Sequence, residues 1–368
     1  MSDTERQDEL TLHGAQVMSV CNACRYCERF CPVFPAIERR VTFARADLAY
    51  LANLCHNCGE CLYACQYAPP HEFGINVPQT LAALRYRSFE EYTWPAWMSS
   101  AFRHQGTVTA LIAAGGLTLA LFAAVQAANP QALWDPDLRA QFYQVVPHWA
   151  MVTLFGTVGL TVAAALTIGV VRFRRDMAAL APRRPDAAVP GAGRGALGDV
   201  LTLRHLDTDG VDCASAEEQR TPWRRWSHHA TFYGFMLCFA STTVAAVYHA
   251  AGFTAPYAYA SLPVFLGTVG GLGLLAGTGV QWLLRRRRDP ALADVAHAGL
   301  DDSLIVLLFL TSLTGLLLLA LRSQAVMGLL LIVHLGTVLG LFLSLPYGKF
   351  VHGLYRTVAL LRSRQEQQ

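Results

Sequence analysis

The chain has 368 residues, of which 53 % are hydrophobic and only 15 % are charged, and its net charge is +3 at pH 7. The hydrophobic fraction is high for a soluble protein, and the length is compatible with two domains. The positive residues lie beside apolar segments, which indicates membrane topology and excludes nucleic acid as a partner. The N-terminal decapeptide MSDTERQDEL is charged and lacks the apolar segment of a cleavable secretory signal.

Eight of the ten cysteines lie in two runs of identical spacing within residues 1–100. The first run, CNACRYCERFCP, is C-x2-C-x2-C-x3-C-P, and the second is CHNCGECLYAC. In bacterial two-cluster ferredoxins, three cysteines of such a run hold one [4Fe–4S] cube and the fourth reaches the other cube. We therefore predict one cluster on Cys21, Cys24, Cys27 and Cys65, and a second on Cys55, Cys58, Cys61 and Cys31.

Zinc and disulfides are the alternative uses of these cysteines. Zinc sites are typically built from paired CxxC knuckles, whereas each run here has three closely spaced cysteines and a more distant fourth. A disulfide framework conflicts with a reducing compartment. Cys213 and Cys238 lie outside the pattern and are interpreted as a loop thiol and a small apolar residue of a membrane span.

Six apolar stretches follow residue 104, and each has about the 20 residues that cross a bilayer. The alternative is a set of buried core helices, but six such runs exceed what a soluble core of this size needs. The fold prediction is therefore an α-helical membrane protein, with a cytochrome b-like bundle of six transmembrane helices and an N-terminal ferredoxin-like domain. The predicted spans are 106–128, 147–171, 229–252, 260–284, 303–321 and 325–346.

Arginine and lysine residues concentrate in alternate connections, such as the run Arg285 to Arg288. By the positive-inside rule, both termini and the cysteine domain are cytoplasmic, and the protein lies in the inner membrane. We predict five parts in chain order. They are a cytoplasmic ferredoxin-type domain (1–100), a first transmembrane hairpin (104–171), a cytoplasmic loop (172–226), a four-helix haem-binding membrane domain (227–358) and a cytoplasmic tail (359–368).

Histidines within membrane spans are costly and therefore indicate function. His334 and His352 are 18 residues apart, five turns of one continuous helix, and His228 and His249 are 21 apart. Since the third and sixth spans run antiparallel, we expect His228 or His229 to pair with His352, and His249 with His334. Each pair could hold a b-type haem through two imidazoles, giving one or two haems. The alternative roles are interfacial anchoring and quinone contact.

Other histidines and two glycine-rich segments give weaker signals. His104, His148 and His297 lie at helix ends or in connections, which favours interfacial roles. The segment GAGRGALG contains Gly193, Gly195 and Gly198 but has no preceding strand, so we interpret it as a flexible linker and not as a dinucleotide site. Four-residue glycine spacings, Gly267/Gly271 and Gly273/Gly277, indicate close helix packing.

The chain resembles the tricarballylate- and citrate-utilization protein B family in stretches such as LCHNCGECLYACQYAPPHEFGINVP, HHATFYGFMLCFASTTVA, TSLTGLLLLALR and LPYGKFVHGLYR. The resemblance implies a membrane electron carrier for a flavoprotein, the FAD-containing tricarballylate dehydrogenase, which converts tricarballylate to cis-aconitate. Electrons would pass through two [4Fe–4S] clusters to haem b and then to a membrane quinone. No substrate chemistry of its own is expected.

The final span is also similar to the cytochrome subunit of respiratory nitrate reductases, which has two haem histidines at the separation of His334 and His352. That cytochrome has histidines ten residues apart on its other ligand-bearing span, whereas Cys238 holds the tenth position after His228 here. An alternative function is therefore a quinol-oxidising subunit that feeds a heterodisulfide- or nitrate-reductase-like enzyme. A redox sensor is a third possible function. The segment CQYAPPHEFGINVP is expected either to dock the partner or to cap the ferredoxin fold.

Overall fold

In a computed structural model, residues 3–103, 106–135, 141–179, 191–206, 222–292, 294 and 297–366 are described. These residues form α-helices, two short 3₁₀ turns and connections, and no strand occurs among them. The helices of the N-terminal part are α1 (Asp3–Cys24), α2 (Val33–Glu38), α3 (Arg45–Leu54), α4 (Glu60–Tyr63), α5 (Val77–Tyr92) and α6 (Ala96–Arg103). The remaining helices are α7 (Gly106–Ala128), α8 (Phe142–Val145), α9 (His148–Ala179), α10 (Ala192–Leu201), α11 (Trp223–Ala250), α12 (Leu262–Arg286), α13 (Ala298–Ala320), α14 (Met327–Ser344) and α15 (Val351–Glu366).

Among the described residues, six helices are long and apolar enough to cross a membrane, namely α7, α9, α11, α12, α13 and α14. This confirms the prediction of an all-helical fold with six spans. The largest extensions past the predicted ends are those of α9, which continues to Ala179, and α11, which already begins at Trp223. The added turns are rich in arginine and extend α9 and α11 toward the cysteine domain, where Arg172 donates to the Thr93 carbonyl at 2.9 Å.

Small residues allow close helix contact between α11 and α12. A Cβ built on Gly234 would lie 2.8 Å from the carbonyl oxygen of Gly270, and one on Gly277 would lie 2.8 Å from that of Ser227. Glycine therefore lets the two backbones approach, as in other membrane helix pairs. The predicted glycine spacing holds for Gly267, Gly273 and Gly277, whereas Gly271 faces Leu316 of α13.

The continuous helix expected between His334 and His352 is wrong. α14 ends at Ser344, a turn spans 345–350, and α15 begins at Val351. The physical reason is Pro346, which has no backbone N–H to donate and clashes with the preceding turn. Its own carbonyl accepts a hydrogen bond from the Thr93 hydroxyl at 3.3 Å, so the break is fixed against the N-terminal part.

The flexible linker expected at GAGRGALG is also wrong, because these residues form most of α10. Ala192 and Ala196 are buried, and Asp199 accepts two hydrogen bonds from the Arg364 guanidinium at 2.7 and 2.8 Å. This bidentate ion pair holds α10 against α15. The three glycines each disfavour a helix by about 1 kcal/mol, so packing against α15, rather than intrinsic propensity, stabilises α10.

The cysteine domain and the C-terminal helix share one apolar core. Leu48, Leu51 and Leu54 of α3 are buried in the same cluster as Tyr355 and Leu360 of α15. At the far end of α15, the Glu366 carboxylate accepts from Arg40 at 2.9 Å and from the Tyr50 hydroxyl at 3.2 Å. α15 is therefore an integral part of the N-terminal fold and not a detached tail.

Asp301, at the start of α13, joins three parts of the chain. It accepts a hydrogen bond from Tyr86 of α5 at 2.5 Å and forms ion pairs with Lys349 at 2.8 Å and with Arg285 of α12. Asp301 is buried, whereas its neighbour Asp302 is partly exposed and pairs with the same Arg285 at 2.6 Å. The buried carboxylate thus holds the cysteine domain on the membrane helices.

We predict that Asp301→Asn destabilises the protein far more than Asp302→Asn does. Removing one partner of a buried ion pair leaves its cations uncompensated and costs about 3–5 kcal/mol, whereas a partly exposed pair contributes about 1 kcal/mol or less. Thermal unfolding of the detergent-solubilised variants checks this. Equal losses of thermal stability in the two variants would contradict the role of Asp301 as the joint.

Candidate functional site

The first predicted cysteine set converges at the surface of the N-terminal domain. Cys21, Cys24, Cys27 and Cys65 line a cavity of about 210 Å³ together with apolar side chains. Desolvation raises the pKa of the Cys21 thiol to about 12, and the nearby Cys65, Cys27 and Cys24 add to the rise. Four thiols gathered in an apolar cavity ionise only if a cationic centre compensates them, which fits a metal cluster.

The second predicted set converges deeper, and Cys61 lines both cavities, so the two sets are adjacent. Desolvation raises the pKa of Cys31, and the neighbouring Cys55 and Cys58 raise it further. The backbone N–H groups of Val33 and Phe34, at the start of α2, bond the Cys31 sulfur and oppose this rise. The proline after Cys31 thus begins a short helix whose first amides face the sulfur.

The donors of both sets are cysteine thiols alone, and each run has three closely spaced members and a more distant fourth. Zinc sites typically pair CxxC knuckles, whereas this run spacing is that of iron–sulfur ligands. The donor set therefore fits iron–sulfur clusters better than zinc. Among the described residues, no group of three cysteine, histidine, aspartate or glutamate side chains is arranged to hold one metal ion.

His228 of α11 and His352 of α15 face each other. Their ring centres are 6.1 Å apart, with the ring planes at 73°. Two imidazoles bound to one iron, with bonds of about 2.0–2.1 Å, would have ring centres about 6.4 Å apart. The Nδ1 of His352 lies 2.5 Å from the Lys349 carbonyl, which can only accept, so Nδ1 carries the proton and Nε2 keeps its lone pair. The pair therefore fits two axial ligands of a haem.

The other predicted ligands lie in different surroundings. The His249 ring stacks on His148 with centres 3.7 Å apart, and among the described residues it makes no ring contact with His334. His334 hydrogen-bonds the Thr314 hydroxyl at 3.0 Å, and a Cβ on Gly315 would lie 3.0 Å from its ring. His229 contacts Tyr233 with ring centres 5.7 Å apart. A second haem on His249 and His334 stays a prediction.

Of the residues assigned to other roles, His297 is held by Asp294 at 2.6 Å and stacks on Tyr86, away from the histidine pair. Cys238 lies against Gly270 of α12, as a small residue in a span would. His104 and Cys213 lie outside the described residues.

Sequence patterning does not predict the set of arginines around residues 52–58, which are the end of α3 and the loop after it and are here called the cluster loop. Arg85 donates to the carbonyl of Cys55 at 2.6 Å, Arg288 to that of Asn57 at 2.6 Å and Arg356 to that of Leu54 at 3.3 Å. Arg224 donates to the carbonyls of His56 and Asn57 at 3.1 and 2.9 Å. Sequence patterning explains these arginines as topology signals only, since nothing in their spacing shows that they converge.

The arginines place the cluster loop beside the histidine pair. Arg224 is one helical turn before His228 in α11, and Arg356 is one turn after His352 in α15. The second cysteine set and the two imidazoles are therefore connected through side chains of the same two helices. Such an arrangement can position two redox centres close together.

Comparison with known proteins gives matches in both parts of the chain. Residues 14–91 match the family described as Citrate utilization protein B Fer4-like domain, and residues 103–368 match the family described as Citrate utilization protein B. A relative named Citrate utilization protein B, from Escherichia coli, is 47 % identical over 350 residues, which cover 94 % of this chain and 90 % of that protein. No solved structure matches.

The Fer4-like match contains both cysteine sets, which indicates an iron–sulfur domain with a role in electron transfer. The six apolar helices indicate a multi-pass membrane protein. On both matches and on the identity to the Escherichia coli relative, the chain belongs to the citrate utilization protein B family.

Proposed function

We propose that this protein carries electrons from the reduced FAD of a partner tricarballylate dehydrogenase to the membrane quinone pool. The eight cysteines would hold two [4Fe–4S] clusters and the pair His228–His352 a haem b, and these groups supply reversible one-electron carriers. Oxidation of the tricarboxylate to an alkene releases two electrons and two protons. Reduction of a quinone to quinol consumes two of each, so the two ends balance.

The observation that carries the proposal is the contact between the cluster loop and the ends of α11 and α15. Arg224 and Arg356 reach this loop from one turn away from His228 and His352. A cysteine domain that served only as a separate module would need no such connection to His228 and His352. The arginine-rich ends of α9, α11 and α12 support a cytoplasmic position for this domain in the inner membrane.

The entry side would lie at the first cysteine set. Tyr26, beside this cavity, is 63 % exposed, and Phe73 of the segment CQYAPPHEFGINVP is 54 % exposed. The same segment also caps the fold, because the Asn76 side chain accepts the Gln79 N–H at 3.1 Å at the start of α5. We propose that its aromatic part contacts the flavoprotein and its last residues fix α5.

Anaerobic mixing of the full chain in nanodiscs with tricarballylate-reduced dehydrogenase tests the function. The expected result is bleaching of the iron–sulfur absorbance, then growth of the reduced haem band, and quinone reduction that requires both proteins. Reduction by quinol but not by the dehydrogenase would instead support flow toward a cytoplasmic reductase. Reduction by neither would overturn the proposal.

We predict that Cys24→Ser abolishes dehydrogenase-dependent quinone reduction while the haem remains. Changes in outer-shell groups of metal sites already cost about 10–100-fold, so loss of a ligand should cost at least about 100-fold. Cys238→Ser is the matched control, because Cys238 belongs to neither cysteine set, and it should keep near-normal turnover. Full activity in Cys24→Ser would show that the first set is not on the electron path.

We predict that His228→Ala and His352→Ala each remove the same haem and leave the iron–sulfur clusters in place. His229→Ala is the matched control, since His229 is the next residue on α11 but contacts Tyr233. Pyridine-haemochrome assay and acid-labile sulfide on each purified variant give the result. Loss of haem in His229→Ala and its retention in His228→Ala would mean that the other imidazole is the ligand.

A further inference from the structure

The surroundings of the two cysteine sets differ in charge. Among the described residues that line the two cavities, the first cavity has no charged side chain and the second has only Glu60, so the difference lies in the groups behind the lining. The cluster loop beside the second set receives four guanidiniums from four separate elements: Arg85 from α5, Arg224 from α11, Arg288 after α12, and Arg356 from α15. All four side chains are partly buried.

Carboxylates also act on these guanidiniums. Glu60, buried in α4, acts on Cys58 in opposition to Arg224. Asp301 acts on Arg288 and is also paired with Lys349 and Arg285. Burial, then repulsion by Arg85 and Arg224, lowers the pKa of Arg356 to about 9 against the opposing effect of Cys55, so these guanidiniums lie close enough to repel one another.

We propose that Arg85, Arg224, Arg288 and Arg356 act as an arginine collar that raises the reduction potential of the centre held by Cys31, Cys55, Cys58 and Cys61 above that of the first centre. One-electron reduction of an iron–sulfur cluster adds one negative charge, so nearby fixed cations favour the reduced form. Burial alone would disfavour that extra charge. The collar reverses this effect, because partly buried cations are weakly screened by solvent and salt.

The inference rests on the proposed function and adds a direction to it. Electrons that enter at the exposed first set would move downhill to the second set, next to His228 and His352. The four arginines would be positioning residues in this step, since none of them is a ligand. Their hydrogen bonds to the cluster loop also hold the loop in place, so a structural role must be separated from an electrostatic one.

Redox titration of the full detergent-solubilised chain, followed by electron paramagnetic resonance, makes this separation. Wild type should show two one-electron steps. In Arg224→Gln and in Arg288→Gln the reduction potential of the higher step should fall. At a fixed potential the ratio of reduced to oxidised cluster should be at least about tenfold lower, which corresponds to 59 mV for a one-electron couple. The lower step should stay in place.

Two further variants act as controls. Arg224→Lys keeps the positive charge and should restore the higher step. Arg225→Gln removes the neighbouring arginine, which donates to the Thr202 carbonyl at 2.9 Å, and should leave both steps unchanged. An unchanged higher step in both glutamine variants, or an equal fall in Arg225→Gln, would overturn the collar.

The outcomes also separate this inference from the proposed function. If wild type shows a single cluster step, the two-cluster assignment itself fails. If both steps are present but indifferent to Arg224 and Arg288, only the collar fails. Acid-labile sulfide measured on each variant shows whether the clusters are retained. Loss of the second cluster from both glutamine variants, without its return in Arg224→Lys, would show a structural role of the arginines and reject the electrostatic one.

Discussion

The arrangement of this protein depends on hydrogen bonds between arginine side chains and the backbone carbonyls of the cluster loop. Backbone carbonyls at the end of a short helix such as α3 need donors, and here the donors are arginine side chains of α11 and α15. Arg224 and Arg356 belong to the helices that carry His228 and His352. The same contacts therefore fix the cluster loop and its distance to the two histidines. The Asp301 joint holds the same two parts together at a second point.

Much of this molecule follows from short-range patterns in the sequence. The six spans depend on composition over about 20 residues, and they occur where hydropathy places them. The grouping of cysteines within each run depends on local spacing. In the structure Cys65 lies near Cys21, and Cys31 lies near Cys55 and Cys58. Antiparallel span order was enough to expect His228 beside His352.

Features that depend on tertiary packing were not predictable in the same way. A continuous helix from His334 to His352 is the expectation, yet Pro346 ends α14 because it has no N–H to donate, and the Pro346 carbonyl then accepts from the Thr93 hydroxyl of the N-terminal part. The glycines of α10 were interpreted as a linker, but Arg364 and the apolar face of α15 stabilise a helix there. The arginine collar comes from positions 85, 224, 288 and 356, which no sequence window brings together.

The central claim is that one chain holds two iron–sulfur clusters and haem b next to each other. The most direct test is the content of iron, acid-labile sulfide and pyridine haemochrome in the full wild-type chain, purified anaerobically in detergent. Two [4Fe–4S] clusters and one bis-histidine site require about eight non-haem irons, about eight sulfides and at least one haem b per chain. About four irons, or no haem, would contradict this claim.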